Sequence, residues 1–298
     1  MKLKIRFLFI LAAGLVFFCF CFNVLYTQAS SYSDAYKSFQ KLEDKVSVLA
    51  KSFQGEYSFV IKDMQKPFLE ISQGKNRMFP AASLIKLPIA AVAFKAVTEK
   101  KVSLNDKFII KAKDIASGSG IIKTMPIPIS LTFKEIVGIM ISNSDNTATN
   151  KIIDILGYDY INSSFKELGL HQTVLKRKMM DFSKRKKGVE NYTSASDIVY
   201  LLEKIYKDEL INVESSKLML SFLSGQKIKD RIPRYLPKDV KVAHKTGLEK
   251  GVVHDAGIIF SNKGDRVVCI LTKKVKSYIN AKKFIAKVSL MTYNNLYQ

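Results

Sequence analysis

The stretch Phe79–Val92 has the sequence Phe-Pro-Ala-Ala-Ser-Leu-Ile-Lys-Leu-Pro-Ile-Ala-Ala-Val, which combines the start of an apolar helix with a serine and a lysine. Proline and small residues suit the first turn of a helix, and the apolar run from Leu84 onward predicts a helix that is buried on most sides. On such a helix Ser83 and Lys86 share one face, so we expect the amine within reach of the hydroxyl. Because burial favours a neutral amine, the pair predicts an activated serine nucleophile.

The Ser-x-x-Lys pattern is not specific by itself. It also begins at other serines, where solvated helix or loop pairs are the ordinary explanation, namely Ser38, Ser72, Ser163, Ser183 and Ser224. A nucleophile at Ser83 therefore depends on partners elsewhere in the chain.

The N-terminal segment has the features of an export signal. Basic residues precede an apolar run from Phe7 to Phe22, and Tyr26–Ser30 contains small residues suited to cleavage. We expect residues 1–30 to be a signal peptide or a retained membrane anchor of a bacterial protein that acts outside the cytoplasmic membrane. Only Cys269 remains after this segment, which leaves no internal disulfide, and its apolar surroundings predict a buried strand residue.

Length and charge limit the classes of protein and partner. The chain has 298 residues and is 47% hydrophobic, which is enough for one large domain or two lobes that share a core. Its net charge of +22 favours polyanions, and for an exported protein we expect an anionic cell wall or membrane surface. The basic runs Lys176–Lys178 and Lys184–Lys187 contain few aromatic residues, so we expect solvated loops and no nucleic-acid partner. We expect a monomer.

Hydrophobic periodicity predicts an α/β (α+β) fold. Helices are expected at Ser33–Phe53, from Ser83 to about Lys100 and at Tyr278–Tyr293, with mostly helical chain over Leu104–Leu223. Strands are expected near both ends of the chain, at Glu56–Met64, Phe68–Ser72, Lys241–Thr246, Val252–Ser261 and Arg266–Thr272. We therefore expect one domain over residues 31–298, with a sheet lobe (31–80 and 225–298) and an inserted helical lobe (81–224).

Two further motifs carry polar side chains that suit catalysis. Ser144-Asp145-Asn146 lies between apolar helical stretches, where the hydroxyl could relay a proton and the amide could bind a substrate amide. The alternative is a helix-capping turn, since caps use the same residue types. Lys245-Thr246-Gly247 ends a β-like run and offers an ammonium and a hydroxyl to a carboxylate, with glycine for close backbone approach. The alternative there is an ordinary exit from a strand.

In this order, Ser83-x-x-Lys86, Ser144-Asp145-Asn146 and Lys245-Thr246-Gly247 resemble the motif set of class A β-lactamases and penicillin-binding proteins. The resemblance extends from about Gly55 to Leu290. It implies a β-lactamase/transpeptidase-like fold, a five-stranded antiparallel sheet flanked by helices with an inserted helical lobe. The site is then expected in the cleft between the sheet and that lobe.

The resemblance assigns roles to single residues. Ser83 is the acylated nucleophile, and Lys86 is its base or part of a base relay. Ser144 passes a proton to the leaving nitrogen, and Asn146 holds the amide on the acyl side of the substrate.

The resemblance also implies how the substrate is held. Lys245 and Thr246 bind its carboxylate beside Gly247, and the N–H groups of Ser83 and Leu248 form the oxyanion hole. No metal or organic cofactor is implied.

The loop that supplies the water-activating base departs from the class A pattern. In class A enzymes a glutamate stands two residues after an arginine that matches Arg177, and here that position is Met179, which cannot take a proton. Asp181, or as a weaker choice Glu190, is the replacement that the sequence offers. The acid expected to pair with the arginine falls near Asn191.

The strand after Lys245 also departs from the pattern. It has His254-Asp255-Ala256 where many class A enzymes place an arginine for the substrate carboxylate. The choice of substrate therefore stays open at this point.

These observations leave three hypotheses about function. The first is an exported class A-type serine hydrolase that opens β-lactams through an acyl-enzyme, with slow turnover. The second is a cell-wall carboxypeptidase or transpeptidase that acts on D-alanyl-D-alanine-like ends of peptidoglycan stem peptides. The third is a penicillin-binding module that does not hydrolyse its acyl group. Family likeness favours the first.

Overall fold

The computed structural model describes residues 33–66 and 68–296. The predicted leader, residues 1–30, lies outside the described residues. Within the described part of the chain, no helix is both long and apolar enough to cross a membrane.

The helices are distributed along the whole described chain, close to where the periodicity predicted them. They are α1 (residues 33–51), α2 (Lys86–Thr98), α3 (Phe133–Ser142), α4 (Asn146–Leu156), α5 (Tyr158–Glu167), α6 (Phe182–Lys186), α7 (Ala195–Tyr206), α8 (Val213–Ser224) and α9 (Tyr278–Asn295).

The strands form one large sheet and two short pairs. They are β1 (Glu56–Asp63), β2 (Glu70–Gln73), β3 (Phe79–Pro80), β4 (Lys107–Ile110), β5 (Ile129–Thr132), β6 (Tyr192–Thr193), β7 (Val242–Glu249), β8 (Val252–Ile259) and β9 (Arg266–Lys273). The large sheet has five strands in the order β2-β1-β9-β8-β7, and each neighbouring pair is antiparallel. This confirms the predicted five-stranded sheet that both ends of the chain assemble.

Alternating side chains of the central strands enter two separate cores. In β9, Val267 and Cys269 pack towards the helical lobe, whereas Val268 and Ile270 pack towards α1 and α9. Because successive residues of a strand point to opposite faces, an unbroken apolar run is what a sheet covered on both faces needs. The fold is therefore layered, with α1 and α9 on one face and the helical lobe on the other. Burial also raises the pKa of the Cys269 thiol, in agreement with its prediction as a buried strand residue.

The start of the Ser83 segment differs from the prediction. Pro80 belongs to strand β3, which pairs with β6, and is not in the first turn of a helix. Ser83 lies in a short 3₁₀ helix, Ala82–Ile85, and helix α2 begins only at Lys86. The tertiary pairing of β3 with β6 overrides the local preference of proline for a helix start.

Between α2 and α8 the chain forms most of the predicted helical lobe. The hairpin of β4 and β5 and the short strand β6 also lie within residues 81–224, which the sequence predicted as helical and loop. The boundaries proposed between the two lobes stay a prediction.

Candidate active site

The nucleophile candidate is presented by a strained turn. Ala82 has φ 44°, in the left-handed region that non-glycine residues rarely adopt, directly before Ser83. The turn is held from outside, because Ala81 N donates to Asn191 O at 2.7 Å. Ser83 is 7% exposed and borders a cleft of about 390 Å³ between the sheet and the helical lobe.

Lys86 is completely buried and points to the second motif. Its Nζ donates to Ser144 O at 2.6 Å, to Asn146 Oδ1 at 2.8 Å and to Ser144 Oγ at 3.3 Å. Within the described residues none of its hydrogen bonds goes to Ser83. Burial first, and then the neighbouring Lys245, hold the pKa of Lys86 well below 10.5. The shift favours the neutral amine that a general base requires.

Ser144 lies between two lysines. Its φ of 53° turns the chain between α3 and α4, and its Oγ accepts a hydrogen bond from Lys245 Nζ at 2.9 Å. The Lys86 amine approaches the same oxygen from the other side. With amines on both sides, this hydroxyl can exchange its proton with Lys86 and deliver one to a group in the cleft.

Lys245 is also completely buried, and its pKa lies close to neutral pH. Burial lowers its pKa to about 7, while the carboxylate of Asp255 opposes the shift and the Arg231 guanidinium adds to it. Lys245 Nζ also donates to Thr246 O at 2.9 Å, which holds the side chain along its own strand. At neutral pH this group can therefore lose or gain a proton when an anion binds.

The residues after Lys245 form one wall of the cleft. Thr246 and Leu248 both border it, and half of the Leu248 side chain is exposed. A Cβ on Gly247 would lie 3.1 Å from Cβ of His254 on β8, so a side chain here would require His254 to shift by a few tenths of an ångström.

Hydrogen bonds hold Asn146 within the helical lobe. Its Oδ1 accepts from Lys86, its Nδ2 donates to Ser117 O at 2.8 Å, and its backbone N donates to Ser119 O at 3.0 Å. The neighbouring Asp145 is structural, since its Oδ1 caps α4 and its Oδ2 accepts from Ile122 N at 2.9 Å. The capping interpretation of the second motif holds for Asp145, whereas Ser144 and Asn146 face the lysines and their catalytic roles stay a prediction.

Met179 occupies the position at which the sequence lacks the expected water-activating glutamate. Asn150 holds its backbone on both sides, with Oδ1 accepting from Met179 N at 2.8 Å and Nδ2 donating to Met179 O at 3.2 Å. Met179, Met180 and Phe182 border the cleft. This loop therefore gives the cleft an apolar side where a carboxylate would otherwise activate water.

The alternative acids are engaged elsewhere. Glu190 Oε1 accepts from Arg177 Nε at 2.8 Å, and Glu249 Oε1 accepts from Arg177 Nη2 at 2.5 Å. Glu190 is therefore the acid that closes the loop, one residue before the Asn191 position expected from the sequence. Asp181 Oδ1 accepts from Lys184 N at 3.0 Å as the N-cap of α6, and the residue borders a neighbouring groove rather than the Ser83 cleft.

Arg231 is the site residue that the sequence did not reveal. It is almost fully buried and borders the cleft, Nη1 donates to Asp230 Oδ1 at 2.9 Å, and Nε has no partner among the described residues. No local pattern marks it, because Asp230-Arg231 lies in a polar loop far along the chain from Ser83. Its guanidinium places a buried cation at the edge of the cleft.

A buried pair lies behind these cations. Asp255 accepts from His244 Nδ1 at 2.9 Å and from Ile232 N at 3.0 Å, directly after Arg231. Asp255 thereby fixes the chain that carries Arg231 and offsets the charge of Lys245. Among the described residues, no group of three or more histidine, cysteine, aspartate or glutamate side chains has a metal-binding arrangement.

Comparison with known proteins gives a consistent result. The model of the β-lactamase enzyme family matches residues 41–296. Beta-lactamase BRO-1 of Moraxella catarrhalis is 30% identical over 181 residues, which cover 58% of this chain. The same match spans 56% of the BRO-1 protein, less than two thirds of its length.

Solved structures are similar over most of their own length. A β-lactamase of Sphaerobacter thermophilus has a TM-score of 0.78 and 28% identity, covering 86% of this chain and 96% of that one. PBP-A has a TM-score of 0.78 and 30% identity, with the same coverage of 86% and 96%. A point mutant of PBP-A, solved as an acyl-enzyme complex with penicillin G, has a TM-score of 0.78 and 29% identity, covering 87% and 97%.

Proposed function

The chain belongs to the β-lactamase enzyme family, and from this premise we propose that it is a serine hydrolase that β-lactams acylate at Ser83 and that releases the acyl group slowly. One observation carries the proposal. The polar groups needed for acylation converge on Ser144, whereas the loop presents the thioether of Met179 to the same cleft.

The acylation step follows from the hydrogen bonds. Ser83 Oγ attacks the lactam carbonyl carbon and passes its proton to the neutral Lys86 amine, directly or through Ser144. The carbon–nitrogen bond of the ring then breaks, and Ser144 gives its proton to the leaving nitrogen. Lys86 returns the proton to Ser144, which leaves both side chains as they began and an ester on Ser83. In this proposal the N–H groups of Ser83 and Leu248 stabilise the oxyanion.

Substrate orientation depends on the cations at the other end of the cleft. Lys245, Thr246 and Arg231 form a binding site for a carboxylate, with two hydrogen-bonding groups and a guanidinium. Asn146 offers its amide to the acyl side chain, and the apolar face of Met179, Met180 and Phe182 suits an apolar acyl group. Penicillins have both features, a carboxylate and an acylamino side chain.

Deacylation is the slow step in this proposal. Hydrolysis of the ester on Ser83 needs a water molecule that loses a proton as it attacks, and a thioether cannot accept one. Asp181 stays a candidate for this role, although its carboxylate caps α6. A penicillin-binding module without hydrolysis is the limiting case in which no group takes the proton.

A second candidate substrate is a peptide that ends in D-alanyl-D-alanine. The same carboxylate site suits its C-terminus, and the apolar loop is compatible with an acceptor other than water. Such an enzyme is a carboxypeptidase or transpeptidase of the cell wall. The basic net charge of +22 and the export signal support action at an anionic surface outside the cell membrane.

The test is covalent labelling of the purified protein with a fluorescent penicillin. We expect labelling of the wild type and none of Ser83→Ala, and labelling that survives this substitution would overturn the site assignment. Decay of the label then separates the alternatives. Loss over minutes to hours supports slow hydrolysis, loss that Asp181→Asn slows supports Asp181 as the base, and a permanent label supports the non-hydrolysing module. Release of D-alanine from a peptide tests the second substrate.

A further inference from the structure

A second groove lies along the first half of strand β7, at Val242 and His244, whereas Thr246 and Leu248 further along the strand line the Ser83 cleft. Its volume of about 760 Å³ is nearly twice the 390 Å³ of that cleft. It is bounded by helix α8, the segment 226–242, which includes a 3₁₀ helix at Ile232–Tyr235, and the end of β8. The function proposed above makes no use of it.

The floor of the groove is apolar. Aliphatic, proline and aromatic side chains line it, namely Leu220, Pro233, Leu236, Pro237, Val240, Val242 and Phe260. Ligand pockets of this size, from about 300 to 1,000 Å³, take compact organic molecules and are mostly apolar with a few polar groups.

The rim of the groove is strongly basic. Its cations are Lys229, Arg234, Lys238 and Lys241, and within the described residues none of them forms an ion pair. Arg234 lies over the ring of Tyr235, at 5.4 Å from its centroid, and the rim has a single carboxylate at Asp239. The excess of unpaired positive charge favours an anionic group at the mouth of an apolar pocket.

A buried histidine also lines this groove. His244 is 1% exposed, and the next residue, Lys245, points to the other face of the strand, as alternation along a strand requires. Asp255 engages His244 Nδ1, so a buried carboxylate fixes the ring against the wall of the groove. A ligand in the groove therefore meets a ring of defined position.

We propose that this groove binds a free fatty-acid carboxylate, with the alkyl chain on the apolar floor and the anionic head group among the rim cations. Charge complementarity selects an anion, and the continuous apolar floor selects an alkyl chain over a small inorganic anion. His244 is a buried residue of the lining, so a change in its environment on binding distinguishes this site from general attraction to the basic surface.

The test is calorimetric titration of the purified protein with laurate and with octanoate. We expect saturable binding of one laurate per chain. Octanoate is four methylenes shorter, so we expect it to bind roughly a hundredfold more weakly at about 0.8 kcal/mol per buried methylene. The nitrogen chemical shift of His244 Nε2 should move with laurate, and the protein has only three histidines to resolve.

A matched pair of charge reversals locates the site. Lys238→Glu with Lys241→Glu should weaken laurate binding about tenfold, because each exposed charge contributes up to about 1 kcal/mol. Lys37→Glu with Lys41→Glu changes the net charge equally on exposed positions of α1 and should leave the affinity within about twofold.

Three results would overturn the proposal. One is equal weakening by both charge reversals, which indicates attraction to the overall positive field. Another is an affinity that does not change between octanoate and laurate. The last is binding to phosphatidylglycerol vesicles with no binding of monomeric laurate, which indicates a membrane surface instead. Since none of these measurements needs acylation of Ser83, their failure is distinct from failure of the proposed hydrolase function.

Discussion

His254 Nε2 donates a hydrogen bond to Pro80 O at 2.8 Å, and thereby joins strand β8 to the chain three residues before Ser83. The tautomer is set by the other ring nitrogen, because Thr272 N donates to Nδ1 at 2.9 Å. The ring is fully buried, and burial lowers its pKa to about 4. His254 therefore acts as a neutral tie between β9, β8 and the strained turn at Ala82.

This tie predicts different effects for two similar amides at position 254. Glutamine reaches the place of Nε2 and can still donate to Pro80 O, whereas asparagine reaches only the place of Nδ1 and keeps the bond from Thr272. We expect His254→Gln to keep the penicillin labelling rate within about threefold and His254→Asn to lower it about tenfold or more, since small displacements of a nucleophile cost rate. Stopped-flow labelling measures both, and equal rates in the two variants would show that the Pro80 bond does not position Ser83.

The same histidine predicts a dependence of stability on pH. Its pKa is about 4 in the folded protein and about 6.5 in the unfolded chain, so between these values the unfolded chain binds more protons. Stability from this group is complete above pH 6.5 and falls by up to about 3 kcal/mol as pH falls towards 4. Urea unfolding of the wild type and of His254→Gln across this range measures the difference. A parallel loss in both proteins would contradict the assignment.

The buried ammonium of Lys245 predicts an alkaline limit to labelling. Its pKa is about 7, and only the charged form attracts a carboxylate, so the second-order labelling rate should fall as pH rises through about 7. An arginine stays charged over this range, so Lys245→Arg should remove the alkaline fall even if it lowers the rate at every pH. The pH profile of labelling by a fluorescent penicillin checks this. An unchanged alkaline limb in Lys245→Arg would assign it to another group.

We predict that removal of the Arg231 guanidinium specifically weakens recognition of the substrate carboxylate. Its unpartnered Nε and its position on the cleft indicate a charge-assisted contact, worth about 1.5–3 kcal/mol. We expect Arg231→Gln to lower the labelling rate by about 10- to 100-fold with penicillin and much less with the penicillin methyl ester. Arg234→Gln, on the same loop but outside the cleft, is the matched control and should label like the wild type. Equal losses with acid and ester would contradict carboxylate binding.

We predict that a proton acceptor at position 179 increases turnover. Asn150 holds the backbone at this position, so a glutamate there should point into the cleft as the thioether does. We expect Met179→Glu to shorten the lifetime of the acyl-enzyme by about 10²–10⁴, the usual contribution of a general base, with little effect on labelling rate. Met179→Gln has nearly the same shape and no proton acceptor, and should decay like the wild type. Equal decay of the Glu and Gln variants would show that another group limits hydrolysis.

Much of the fold was predictable from local pattern. The apolar run of β9 indicated a strand, and strands near both ends of the chain indicated one sheet assembled from distant segments. The antiparallel five-stranded arrangement was implied by the family resemblance. The start of α2 was not predictable from local pattern, because the pairing of β3 with β6 takes Pro80 into a strand.

The sequence predicted which motifs meet at the site, but not which of their side chains form hydrogen bonds with each other. The motifs at Ser83, Ser144 and Lys245 were correctly expected to meet, yet Lys86 bonds to Ser144 and Asn146 instead of to Ser83. Glu190 and Glu249 close the loop on Arg177, although only their tertiary positions reveal it.

The sequence by itself determined the candidate residues of the three motifs, since residue types at fixed short spacings specify local geometry and alternation specifies the faces of the sheet. Only the tertiary structure decided which of those groups touch. Arg231 enters the cleft, and two buried lysines share one serine, because packing of the helical lobe on the sheet brings together residues that are far apart in the chain. Local pattern carries no information about such distances, and the burial that lowers the pKa of both lysines arises only when the lobes meet.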